Sequence, residues 1–219
     1  MKKLFILITI IITAFGYSQN CECTEYQKEV FKDPAMDTFN FSNGEKLRIC
    51  PAIRYSPYKP YKNYYFKDFA LENCQNENRI RVWGNLYCKA IFNQDTLSII
   101  ETVKLPVGQK RKFEVVNKSI TTIYIDNGKV VSNYKKLSIR KYNQAEIEVV
   151  LKEHEAALKS KKKKNFEHLY SSLLVAGLSG NEKALEYFIN FQSDFEDIIT
   201  DPEIEDYNNL KSAFIETDE

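Results

Sequence analysis

Between residues 38 and 142 apolar and polar positions alternate, most clearly in "RIRVWGNLYCKAIF". There Ile80, Val82, Gly84, Leu86, Cys88, Ala90 and Phe92 share one side, and Arg81, Trp83, Asn85, Tyr87 and Lys89 the other. A period of two with one apolar face predicts a half-buried strand. The stretch is long for a single strand, so a bend is expected near Gly84. "DTLSIIETVKL" continues the pattern after the turn-like Asn93-Gln94-Asp95. "SITTIYIDNGKVVSNYKKLSI" then sets Asn127-Gly128 between two β-rich runs. Asn-Gly tolerates the positive φ that tight hairpin turns require, which predicts a hairpin. The sum is an antiparallel sheet of about five or six strands.

From Gln144 the period lengthens. Ile147, Leu151, His154 and Leu158 recur at helical spacing, as do Phe166, Leu169, Leu173 and Ala176. Gly177 and Gly180 close that run, and Asn181 is suited to cap the next helix, whose apolar side carries Ala184, Phe188, Phe191 and Phe195. Asp201-Pro202 reads as a cap followed by proline in the first turn. Ile204, Tyr207, Leu210 and Phe214 form the last stripe. Strands followed by helices predict an α+β fold: an antiparallel β-sheet region, then a C-terminal bundle of about three α-helices.

The first residues do not belong to that fold. Met1-Lys2-Lys3 precedes a nearly unbroken apolar run from Leu4 to Phe15, and Gly16-Tyr17-Ser18 supplies a small-x-small exit. This is the pattern of a signal peptide cleaved after Ser18; the apolar run is too short for a membrane span. The expected organisation is therefore a leader over 1–18, an extension over 19–37, a β-rich region over 38–142 and a helical region over 143–219. The protein is expected to be exported to the periplasm or the extracellular space, or to be anchored at an outer membrane.

Export gives the five cysteines meaning. Cys21, Cys23, Cys50, Cys74 and Cys88 are an odd set, so one stays unpaired. Cys74 and Cys88 flank a turn-like segment and are the expected disulfide. Lipid on Cys21 would leave an even four, yet Gln19-Asn20 before it fits lipoprotein processing poorly.

Charge divides the chain. Residues 1–164 hold 29 Lys/Arg against 17 Asp/Glu, and residues 165–219 hold 2 against 13, so a front of +12 meets a tail of −11. The basic front suits an acidic partner or the chain's own tail. Export argues against nucleic acid.

Candidate chemistry is sparse. In "RYSPYKPYKNYYF", Tyr55, Tyr58, Tyr61 and Tyr64 recur every third residue around Pro57 and Pro60, with Lys59 and Lys62 between. Proline favours polyproline II, whose three-residue turn would align the rings along one edge. Rings beside ammonium groups suit sugar faces, peptides or acidic polymers. The competing explanation is a loop whose tyrosines simply lie over the sheet. Lys159 and Lys161 to Lys164 form a basic run that is expected to be a solvated face. His154 and His168 are the only histidines. "HEAAL" carries Leu158 where a zinc-protease helix needs its second histidine. "GLSG" lacks the final glycine and the strand-to-helix context of a nucleophile elbow. No pattern nominates a catalytic residue, a metal ligand or a cofactor.

"FNFSNGEKLRIC", "FALENC", "VWGNLYCKAIFNQDTL", "LPVGQKRKFE" and "YNQAEIEVVLKEHEAA" together resemble a group of exported proteins of the Bacteroidota with no established activity. The resemblance covers most of the mature chain. It implies export and a one-piece architecture, and it assigns no functional residue.

The expected function is an exported, non-catalytic protein that binds a macromolecule of the cell envelope, a protein or a polymer, with an immunity or inhibitor protein as one version. The alternatives are an envelope hydrolase with a carboxylate site that the sequence hides, or a structural envelope component anchored to the membrane through Cys21.

Overall fold

The first described strands are short: β1 (Asp37–Asn40), β2 (Lys46–Pro51), β3 (Tyr65–Phe66), β4 (Phe69–Asn73) and β5 (Arg79–Trp83). Four longer ones follow: β6 (Tyr87–Asn93), β7 (Thr96–Leu105), β8 (Glu114–Asp126) and β9 (Lys129–Lys136). The helices are α1 (Gln144–Ser160), α2 (Phe166–Leu178), α3 (Glu182–Ile189), the single turn α4 (Phe191–Asp194) and α5 (Asp201–Ile215). This structure, a computed structural model, describes residues 21, 23, 37–51, 65, 66, 68–76, 78–84, 86–160 and 165–215. The fold is α+β: two antiparallel sheets, β1-β2-β4-β5 and β3-β6-β7-β8-β9, followed by the helices.

The five-stranded sheet organises the rest, because one of its faces has two occupants. Over the hairpin end, Leu97, Ile99 and Ile123 meet Leu47, Ile49, Phe69 and Leu71 of the four-stranded sheet. Over the far end, Val103 and Leu105 of the same strand β7 join the helical core with Leu173, Phe191 and Tyr207. The join between the two cores falls at a bulge. Glu101 pairs with Ser119 and Thr102 with Asn117, so Lys118 is an extra residue in β8. Ser119 Oγ donates to Glu101 Oε2 at 2.5 Å, and Lys118 Nζ lies 3.5 Å from the same oxygen and 5.5 Å above the Phe214 ring. A bulge re-aims side chains locally. Here it lets a buried lysine reach a half-buried carboxylate at the seam.

"RIRVWGNLYCKAIF" does more than bend. β5 belongs to the four-stranded sheet and β6 to the five-stranded one, so the chain changes sheets at Gly84. The shared face expected from Ile80 to Phe92 therefore holds only after the corner. Cys88, Ala90 and Phe92 face the core, but in β5 it is Trp83 that is buried while Val82 is 49% exposed. Leu71 pairs with Arg81 and Glu72 with Arg79, leaving Ile80 as the extra residue of a second bulge. Trp83 stacks on Phe69 with centroids 5.1 Å apart. Burying the larger ring removes more apolar area from water than burying valine.

The hairpin at Asn127-Gly128 forms as its chemistry requires, with φ of 49° and 72° at the two residues between β8 and β9. The helix starts are capped by side chains. Glu146 N–H donates to Asn143 Oδ1 while Asn143 N–H donates to Glu146 Oε2, which is a capping box. Asn165 and Asn181 accept from His168 N–H and Ala184 N–H. At α5 the cap is Thr200 rather than Asp201: Thr200 N–H donates to Glu203 Oε2 at 2.9 Å. α2 is the central helix, buried from Leu169 to Ala176, and it packs on α1, α3 and α5.

Two disulfides tie the N-terminal side of the chain to the four-stranded sheet: Cys21–Cys74 and Cys23–Cys50. The expected Cys74–Cys88 pairing is therefore wrong. Cys88 is the odd cysteine, free and buried on the core side of β6. Sequence distance misled, because the chain changes sheets between Cys74 and Cys88. With its sulfur bonded to Cys74, Cys21 has no thiol to carry a lipid. Two disulfides suit an oxidising, extracytoplasmic environment. Among the described residues no helix is long and apolar enough to cross a membrane.

Candidate functional site: the open face of the five-stranded sheet

The outward faces of the two sheets differ sharply. On the four-stranded sheet, Arg48, Cys50, Ala70 and Glu72 point away from the sandwich core, yet all four are fully buried. Arg48 donates to Glu72 Oε2 through Nε at 3.3 Å and Nη2 at 3.1 Å, and Arg79 Nε lies 4.0 Å from Glu72 Oε1. Cys23, also buried, is bonded to Cys50 on this face. This side is closed.

The outward face of the five-stranded sheet is open. Its register sets Lys89, Ile100, Ile120 and Lys135 in one row across four strands. The next row is Ile91, Ser98, Thr122 and Asn133, and the one after contains Thr96, Tyr124 and Val131. Ile91 is 41% exposed and Tyr124 36%. No acidic residue stands in these three rows. The surface is a patch of aliphatic, hydroxyl and amide groups, and its first row has an ammonium group at either end. Such a patch can bury apolar area, satisfy hydrogen bonds and attract negative charge. A contiguous apolar surface rimmed by polar groups is the usual mark of an interaction site.

Tyr55, Tyr58, Lys59, Tyr61, Lys62 and Tyr64 lie outside the described residues, as do Lys161 to Lys164. The remaining polar groups singled out by the sequence are structural. Ser179 of "GLSG" donates to Val175 O and accepts from Tyr142 N–H. His168 Nε2 sits 2.9 Å from Arg111 O. His154 is fully buried, stacked 4.2 Å from the Tyr187 ring and 3.6 Å from Asp194 Oδ2. Burial pulls its imidazole down to about 4, so it is neutral at ordinary pH. Burial, with the Glu101 carboxylate adding to it, pushes the Cys88 thiol far up, so it stays a protonated, unreactive group.

One arrangement escaped the sequence reading. Arg81 turns into the open side of the sandwich, its guanidinium 5.2 Å above the Trp83 ring and 5.7 Å from the Tyr134 ring, with Nη1 3.4 Å from Thr121 Oγ1. Alternation assigned Arg81 and Trp83 together to the solvent side; the corner at Gly84, where the chain changes sheets, turns both inward. Of the open face, only Lys89 was placed on the outward side by alternation; the other residues of the three rows are brought together by the register alone.

No protein-family model, curated protein or solved structure matches this chain.

Proposed function

We propose that this is an exported, non-catalytic binding protein that holds a macromolecule of the cell envelope, in the periplasm or outside the cell, on the open face of its five-stranded sheet. One observation carries the reading. The outward face of one sheet is closed over a buried ion pair, while that of the other exposes Ile91 and Tyr124, with half-buried Ile100 and Ile120 beside them and no acidic residue in the three rows. Two interior polar groups have structural partners, which supports binding over catalysis: the half-buried Glu101 carboxylate is held by Ser119 and Lys118, and His154 stands among aromatic rings. The basic N-terminal leader and the two disulfides support export, as does the resemblance to exported Bacteroidota proteins. An immunity or inhibitor protein is one specific version of this reading.

The test is a double substitution, Ile91→Asp with Tyr124→Asp. Both side chains are exposed, so unfolding free energy should change by about 0.5 kcal/mol or less per site. Capture of a stoichiometric partner from envelope extract should be lost. Equal capture by wild type and variant would refute the assignment of the face.

A further inference from the structure

Among the four edges of the two sheets, three are protected. β1 has four residues, β3 has two, and β5 has five with a bulge at Ile80. Short and bulged edges resist pairing with other strands. β9 is different: eight residues, no proline, and an unbroken register with β8 from Lys129 to Lys136. Among the described residues no strand pairs with its other side.

The register tells which groups are unpaired. Leu137 N–H donates to Lys118 O just beyond the strand, and the turn of two residues joins Asp126 to Lys129. In an antiparallel pair, residues that exchange hydrogen bonds alternate with residues that do not. Lys129, Val131, Asn133 and Lys135 therefore turn their N–H and C=O groups to β8. Val130, Ser132, Tyr134 and Lys136 turn theirs outward.

Charge selects the occupant. β9 carries Lys129, Lys135 and Lys136 and no acidic residue, and Arg81 lies against the Tyr134 ring. Like charges set directly opposite destabilise a strand pair, so a second β9 from another copy is a poor match and a strand bearing carboxylates is a good one. We infer that β9 is a docking edge that receives an extended acidic segment of a partner protein by strand addition, with the outward amides of Val130, Ser132, Tyr134 and Lys136 supplying the hydrogen bonds. This rests on the reading of the five-stranded sheet as the binding element and names its partner.

The oxidised protein, labelled with 15N, is titrated with an acetylated peptide of about eight residues alternating glutamate and valine, and with its lysine–valine counterpart. The acidic peptide should bind saturably, at least about tenfold more tightly than the basic one, with slowed hydrogen exchange at the four outward amides. The joint variant Lys129→Glu, Lys135→Glu, Lys136→Glu alters exposed side chains only and should invert the preference. Ser132→Pro, which removes one outward donor, should abolish binding of the acidic peptide while the β8–β9 amide pattern persists. No saturable binding at millimolar peptide, equal binding of both peptides, or undiminished binding by Ser132→Pro would each overturn the inference. The envelope partner separates the two readings. If its capture is lost with Ile91→Asp/Tyr124→Asp yet unchanged with Ser132→Pro, the face stands and the edge falls.

Discussion

Arg48 and Glu72 face each other across β2 and β4 with no exposed side-chain surface. Removing one partner of such a pair strands a charge in a medium that cannot solvate it, at a cost of about 3–5 kcal/mol. Glu72→Gln should lose that much in urea unfolding at neutral pH. The double change Arg48→Met, Glu72→Leu should recover most of the loss, because packed apolar groups need no partner; no recovery would show that packing of the pair, not its charge, matters. His154 gives the second residue-scale expectation. Its pKa falls from 6.5 to about 4 on folding, so the unfolded chain binds the proton more readily. Its contribution is therefore complete above about pH 6.5 and is lost as pH falls towards 4, by on the order of 2–3 kcal/mol. Burial is the main cause of the lowered value; Lys183 adds to the lowering and Glu155 opposes it, while Asp194 Oδ2 lies 3.6 Å from the ring Nε2. Replacing His154 with Phe should raise stability relative to wild type between pH 7.5 and pH 4.5. A difference that stays constant with pH would rule out this titration. None of this was legible in the sequence, where Arg48 and Glu72 are 24 residues apart and His154 is one polar residue in an apolar stripe.

Elements were read best where backbone chemistry is local. Asn127-Gly128 and Asn181 act through their own φ or side-chain oxygen, so a few neighbouring residues suffice to predict them. Thr200 displaced Asp201 at the helix start because its N–H and its hydroxyl both donate to Glu203 Oε2, a signal present in "TDPE". Alternation failed at β5. A two-residue period assumes one unbroken ladder, and the corner at Gly84 reverses which side chain enters the core, while the bulge lets Ile80 pack inward as well. Little of the open face was legible: alternation placed Lys89 on the side away from the core, but only the register aligns it with Ile100, Ile120 and Lys135 across the sheet.

At the scale of the molecule, the pairing Cys21–Cys74 and Cys23–Cys50 decides which surfaces are available. Peptide mapping of unreduced protein should find these two links, with Cys88 alkylated by iodoacetamide only after denaturation. A Cys74–Cys88 peptide in the digest would contradict the fold. Taken singly, each closed loop is worth on the order of 3–4 kcal/mol through the unfolded chain. The nested arrangement also has a mechanical meaning. β1, β2, β3 and β4 all lie between Cys21 and Cys74, inside one covalent ring. Tension applied from the N-terminal side passes through the sulfurs to the end of β4 without loading the strands within. β1, β2 and β4 are thus shielded from pulling, and force enters the four-stranded sheet first at its edge strand β5, beside the corner where the chain passes into its binding sheet.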